Sequence, residues 1–322
     1  MVSEKLFYKN KRSYYWEGKD QGIRLTTYME RIQQECLSRG KLKYAQLIGN
    51  VNTQLAAFMA GKNDAVLGDV DELFLQDFVG YLMTAVKSTR YGRTKSGSHI
   101  SGTTIQCYYS VFRSILNKAF RAGLIEHNPT ERFRLSDMFE TESQERTFLT
   151  IDELKRMIST PCRDNEIRQA FLFSCMCGLR ISDIRRLTWG NISLGSDRSS
   201  LRIRMKKTRE WLYLPLSPSA LRWLPQREER TPATPVFRLK STVTVCHVLG
   251  LWARASGITK HVTFHVARHT HATMMLTLGT DLYTVSSLLG HRQLRTTLVY
   301  AKIVDRKKED AVALIPDFSD CD

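Results

Sequence analysis

Up to about residue 126, apolar side chains return every three or four positions between polar breaks, the spacing of helices that each bury one face. The pattern predicts helices over about 22–38, 42–60, 71–86 and 103–121. In the last of these Ile105, Tyr108, Phe112, Ile115, Leu116 and Ala119 share one face, and Gly123 with Asn128-Pro129 beyond it stops the helix. The periodicity lapses from about 127 to 147 in the polar run HNPTERFRLSDMFETESQERT, the composition of a linker. It resumes at Thr150, where Glu153 three positions on signals a capping box before a helix through Leu154 and Met157. An apolar helix is predicted around 167–178 and a short one from near Ser182. Two runs, 201–205 and 211–216, then alternate with the period of a strand and are joined by the tight basic turn KKTRE. From Ser217 the helical spacing returns. The expectation is a mainly α protein with a small antiparallel β-sheet: a helical bundle at 1–126, a linker at 127–147 and a second domain at 148–322.

Charge narrows the partner. Lysine and arginine number 48 against 32 acidic residues, a formal net charge of +16, and both halves share the excess. A polyanion, nucleic acid above all, is the natural partner of such a chain. The stretch 78–125 holds no acidic residue, yet carries Lys87, Arg90, Arg93, Lys95, Arg113, Lys118 and Arg121. Four of these, Lys87, Arg90, Arg93 and Lys95, fall in the loop KSTRYGRTKSGSH between two helices, which suits phosphate contacts that position a protein without reading bases. A solvated charged loop is the plainer reading. No run of about 18 apolar residues occurs and the first residues lack the apolar core of a signal peptide, so a cytoplasmic protein away from membranes is expected. The seven cysteines are odd in number and scattered, without a C-x-x-C pair, which argues against disulfides and a zinc site.

Four pieces of the second domain carry chemistry: GLRISDI at 178–184, KKT at 206–208, HVARH at 265–269 and LLGHRQLRTTLVY at 288–300. In this order they resemble the signature of the tyrosine recombinases, or phage integrase family, which includes the bacterial Xer proteins. The likeness extends over about 150 residues, and the helical first domain resembles that family's core-binding, DNA-contacting domain. The resemblance implies that Arg180 is the first catalytic arginine, Lys207 the lysine of the strand turn, His265 and Arg268 the H-x-x-R pair, and His291 and Tyr300 the remaining members, with Tyr300 the nucleophile. It implies too that Asp183 supports Arg180, while His269 is read as a packing or supporting residue. Lys206 and Lys207 are adjacent and alternate in direction; Lys207 is preferred because Lys-Thr is common at this turn in the family.

The residue types suit that reaction. Attack of a tyrosine oxygen on a phosphodiester builds charge on the non-bridging oxygens, which two guanidinium forks bind well. His291 adds a hydrogen bond, His265 assists proton movement at the tyrosine, and Lys207 protonates the departing 5′-oxygen. A covalent tyrosine ester conserves the bond energy, so neither ATP nor a metal cofactor is expected, and the chain has no G-x-x-x-x-G-K-[ST] loop. HVARH also lacks the glutamate of H-E-x-x-H, so no zinc is assigned to His265, His269 and His271. The resemblance further implies a homotetramer on two double-stranded DNA sites, two domains clamped on the duplex, and strand exchange through a Holliday junction. The tail, about 304–322, has Ala311, Val312, Leu314 and Ile315 for docking on a neighbouring subunit or on its own domain. Two rivals stand beside this reading: a type IB-like topoisomerase with the same residues, and a DNA-binding protein that has lost catalysis. Taken singly, each residue has a plainer role: Arg180 paired with Asp183, an H-x-x-R surface pair, a core tyrosine.

Overall fold

The computed structural model describes residues 22–60, 65–85, 99–139, 146–226 and 231–300, and the chain divides into two units, 1–143 and 144–322. The predicted loop with Lys87, Arg90, Arg93 and Lys95, and the tail at 304–322, lie outside the described residues.

The first unit is built from α1 (Leu25–Ser38), α2 (Leu42–Phe58), α3 (Glu72–Thr84) and α4 (Gly102–Arg121). Each turns one stripe inward: Tyr28, Met29 and Ile32 from α1, Ile48, Val51 and Leu55 from α2, Leu75, Phe78 and Leu82 from α3, and Ile105, Phe112 and Leu116 from α4 are all buried. Burying each such side chain contributes roughly 1.5–3 kcal/mol. Asp71 caps α3 by accepting the Phe74 N–H at 2.7 Å. Tyr108, on the predicted face, is partly buried against this core, and Tyr109 is buried as well, because 105, 109, 112 and 116 continue the helical spacing and Phe133 covers that position, with ring centroids 5.2 Å apart. Thus part of the polar 127–147 run packs on the helices, and Asn128 steadies it by accepting from the Thr130 N–H at 3.1 Å.

In the second unit Thr150 and Glu153 form the capping box that opens α5 (Ile151–Ser159). The helix α6 (Asn165–Cys177) is buried on nearly every side, the mark of a central helix. It ends at Gly178, whose φ of 72° is the left-handed conformation glycine adopts cheaply, and α7 (Ile181–Ile184) follows. A sheet of three antiparallel strands comes next, β1 (Ile192–Ser193), β2 (Ser199–Arg204) and β3 (Trp211–Leu216). Leu201 pairs with Leu214 and Ile203 with Leu212 on the inner face, while Arg202 and Arg204 face Tyr213 and Trp211 on the outer face. The two-residue β1 was not anticipated, since two residues carry no period. After α8 (Pro218–Leu221), the helices α9 (Thr242–Ala255), α10 (Phe264–Thr277) and α11 (Leu282–Leu289) complete the core, with α10 packed on α6. No helix among the described residues is long and apolar enough to cross a membrane.

Candidate active site

The C-terminal ends of α6 and α11 are joined by one side chain. Arg268, from α10, donates through Nη1 to the Gly178 carbonyl at 2.8 Å and through Nη2 to the Leu289 carbonyl at 2.7 Å. Both acceptors sit where helix dipoles concentrate negative charge, a fitting place for a buried cation. Only 3 % of Arg268 is exposed. Burial, and next the charge of Arg180, push its pKa down to about 9. Arg180 itself caps α7, half-buried, with Nη1 3.7 Å from the Met205 sulfur. Met205 in turn rests against Gly290, where a Cβ would stand 2.6 Å from the Met205 methyl, so the glycine that ends α11 also leaves room for the support of Arg180.

Asp183 is 1 % exposed, and its Oδ1 accepts the backbone N–H of Lys206 at 2.8 Å. Among the described residues it forms no ion pair with Arg180; its charge acts on that arginine through space. Its direct partner is the turn between β2 and β3, which carries Lys206 and Lys207, both exposed. Arg292 holds the same turn from the other side, donating to Glu210 at 2.8 Å and to the Thr208 carbonyl at 3.0 Å. The charge of Lys207 is among those that lower the pKa values of His265 and His291.

Tyr300 ends the short 3-10 turn Leu298–Tyr300 and is 5 % exposed. Its hydroxyl lies 2.5 Å from His269 Nδ1. The His269 ring meets the His265 ring edge to face at 4.6 Å, so His265 stands next to the histidine that touches the tyrosine. Burial foremost, with His265 and nearby arginines, lowers His269 to about 3. Burial raises Tyr300, and the charges of Arg268, Arg146 and Arg180 oppose that rise. With burial raising the phenol and lowering the imidazole, proton transfer between them is uphill, so without DNA the contact orients the hydroxyl rather than ionising it. His291 is set by Thr297, whose Oγ1 lies 2.8 Å from Nδ1, and burial with Arg268 and Arg180 holds it down at about 4. His271 faces elsewhere, its Nδ1 3.1 Å from the Cys175 carbonyl.

The predicted residues Arg180, Lys207, His265, Arg268, His269, His291 and Tyr300 therefore lie in one electrostatic neighbourhood, with Asp183 beneath the lysine turn. Sequence reasoning did not single out Thr297, an unremarkable threonine between loop residues that meets His291. Among the described residues no group of three or more His, Cys, Asp or Glu is arranged to hold a metal ion.

Comparison with known proteins bears on the same residues. The phage integrase family pattern matches residues 147–307, and that of the phage integrase SAM-like domain matches 24–135. A tyrosine recombinase of Thermosipho africanus is 33% identical over 217 residues, 65% of this chain and 75% of that protein. The tyrosine recombinase XerC of Pelobacter propionicus is 28% identical over 279 residues, 80% and 83% of the two chains. Among solved structures, the Tn1549 transposon integrase in complex with a circular intermediate DNA aligns with a TM-score of 0.64 at 16% identity, over 87% of this chain and 95% of that one, a likeness of fold.

Proposed function

The chain belongs to the phage integrase family and is a site-specific tyrosine recombinase that cleaves and rejoins DNA, and from that premise we propose that Tyr300 attacks the scissile phosphate to form a 3′-phosphotyrosine. The observation that carries this assignment is the Tyr300 hydroxyl, buried, hydrogen-bonded to His269 and within the field of Arg180 and Arg268. Arg180 and the outward N–H groups of Arg268 bind the non-bridging oxygens as charge develops there. His291, its Nδ1 engaged by Thr297, donates a third bond from Nε2. His269 orients the tyrosine, and His265 behind it relays the phenolic proton away. Lys207, on a turn held by Asp183 and Arg292, protonates the leaving 5′-oxygen. Fixed cations supply the electrostatic stabilisation throughout.

Double-stranded DNA is the partner, in keeping with the net charge of +16 and with the DNA bound to the similar Tn1549 integrase. The helical unit, whose residues 24–135 match the SAM-like pattern, contributes contacts to the duplex, with Lys87, Arg90, Arg93 and Lys95 as candidates. The working assembly is a homotetramer on two sites, exchanging strands through a Holliday junction in the cytoplasm. The test is a nicked suicide duplex from which the 5′-hydroxyl fragment diffuses away, trapping protein on the 3′-phosphate in EDTA and without ATP. Tyr300→Phe keeps the ring and deletes the oxygen: the adduct is expected to vanish while DNA binding persists. An adduct surviving in that variant would remove Tyr300 from the reaction.

A further inference from the structure

We propose that the outer face of the β-sheet receives the DNA strand that ends in the departing 5′-hydroxyl, its arginines meeting phosphates and its aromatic rings stacking on the first bases. The inference rests on the tyrosine chemistry proposed above and names where the released strand goes. The inner positions of β2 and β3 are filled by Leu201, Ile203, Leu212 and Leu214, all buried. Strand alternation therefore turns Arg202, Arg204, Trp211 and Tyr213 outward. Trp211 is 60 % exposed and Tyr213 68 %. Two large rings on the solvent side of a sheet form an apolar surface that the fold itself does not use.

The rings are set among cations. The Arg202 guanidinium lies over the Trp211 ring, 4.7 Å from its centroid, which fixes the plane of the fork while its in-plane N–H groups stay open to an acceptor. Arg204 donates through Nε to the Arg209 carbonyl at 2.9 Å, a bond that ties it to the lysine turn and commits one of its nitrogens. Neither β2 nor β3 contains an acidic residue. Arginine and aromatic side chains also mark contacts between subunits, but two copies of this face set against each other would bring guanidinium against guanidinium. A DNA strand supplies both complements, phosphates for the forks and bases for the rings.

Continuity with the lysine turn selects the strand. Lys207 lies in the turn that joins β2 to β3, and in the reaction proposed above it meets the 5′-oxygen, whereas Tyr300 keeps the other end of the cut. Trp211 pairs with Arg204 at the mouth of that turn, and Tyr213 pairs with Arg202 further along. At about 3.3 Å per strand residue the two rings stand about 10 and 17 Å from the tip of the turn, a span of about three to five nucleotides at 3.4 Å each. The face thus begins where the leaving oxygen is protonated and runs away from it. A strand held there lets rejoining start from a bound 5′-hydroxyl instead of one free in solution.

The experiment follows rejoining. Adducts of wild type, Trp211→Ala, Trp211→Ala/Tyr213→Ala and Arg202→Ala, trapped on the nicked suicide duplex, are supplied with the 5′-hydroxyl oligonucleotide they lost. Resealing is measured against oligonucleotide concentration, beside the rate of adduct formation and the melting temperature of each protein. The double aromatic variant should need about tenfold to a hundredfold more oligonucleotide for half-maximal rejoining, as one or two bases lose their stacking partner, and this deficit should exceed any slowing of adduct formation. Trp211→Phe, which keeps a ring, should recover part of it. A second arm breaks no bond: Tyr300→Phe is bound to a duplex whose first few nucleotides on the 5′-hydroxyl side are unpaired and include 2-aminopurine. Stacking should quench that base, and adding Trp211→Ala and Tyr213→Ala should restore its fluorescence, so a failure here is distinguished from a failure of Tyr300 as nucleophile. Unchanged half-saturation and fluorescence in the double variant, equal slowing of cleavage and rejoining, or an effect confined to self-association in sedimentation without DNA would each overturn the assignment.

Discussion

Arg268→Ala separates the two roles of that arginine. Truncation strips the donors from the Gly178 and Leu289 carbonyls, and each buried acceptor left unpaired costs about 1–3 kcal/mol. Against this stands relief. A guanidinium whose pKa lies at about 9 instead of 12.5 is disfavoured as a cation in the fold by about 3.5 units, roughly 5 kcal/mol at 1.36 kcal/mol per unit. The sign is clear: with the folded value below the unfolded one, the charged side chain costs stability at every pH below about 9. Loss and relief are of similar size, and water entering the vacated space can pair the carbonyls. The net change in stability should therefore stay within about 2 kcal/mol, which for a unit of this size moves the melting temperature by less than about 8 °C. Catalysis has no such compensation. Losing a guanidinium that stabilises the developing charge should slow adduct formation by at least about 10³-fold, since a single oxyanion donor is worth 10²–10³. Single-turnover adduct formation, DNA affinity by fluorescence anisotropy and thermal melting measure the three quantities separately. Adduct formation within tenfold of wild type, or a melting point so low that the variant is unfolded during the assay, would refute the reasoning.

Four further outcomes are expected. Thr297→Val, nearly isosteric in a site with no solvent exposure, frees His291 Nδ1 and should slow adduct formation about tenfold with little change in affinity; an unchanged rate would take Thr297 out of the positioning of His291. Lys207→Ala should slow cleavage of an ordinary phosphodiester but not of a duplex with a 5′-phosphorothiolate leaving group, whose sulfur needs no proton; rescue of Lys206→Ala instead would reassign the general acid. Plots of log affinity against log salt should be steep and become shallower when Lys87, Arg90, Arg93 and Lys95 are replaced together, whereas an unchanged slope would leave that loop as plain solvated charge. His269, at about 3, and His271 and His291, at about 4, are neutral when folded but take up protons near 6.5 when unfolded, so stability should fall as pH drops from about 6.5 to 4; a melting temperature flat across that range would contradict the burial of these rings.

How far the sequence could be read depended on whether a residue's role is local. Helix positions followed from spacing, which is why the four predicted helices of the first unit and the Thr150–Glu153 box are found with their ends displaced by a few residues. The burial of Tyr109 beside that face was not visible because its neighbour, Phe133, comes from the polar run beyond the helix. In the site, Arg180, Arg268, His291 and Tyr300 were named because their motifs recur in a known order. Which of His265 and His269 meets Tyr300 was not visible: they stand one helical turn apart, and the outcome depends on where a segment thirty residues later folds back. The family resemblance implied that Asp183 supports Arg180, and its charge does favour that cation; its hydrogen bond to the lysine turn, a contact 23 residues away, could not be read from spacing.

Among the described residues these contacts leave the site with an excess of positive charge, which a phosphate would balance. Arg146, Arg180, Arg268 and Lys207 all act on it, while Asp183, its acidic neighbour, is buried against the backbone of Lys206. That excess, added to burial, keeps His269 and His291 too weakly basic to carry protons at neutral pH. A phosphate at 4 Å in surroundings of effective dielectric 20 interacts with a unit positive charge by about 4 kcal/mol, which is about three pKa units. Such a rise brings histidines that rest near 3 and 4 towards the range where they exchange protons under physiological conditions. On the proposed mechanism the scissile phosphate would be both substrate and the charge that makes the site competent. The acid sensitivity predicted above should accordingly weaken when Tyr300→Phe is saturated with duplex, because the folded histidines then titrate closer to their unfolded value; an undiminished pH dependence with DNA bound would show that the phosphate does not enter among these rings.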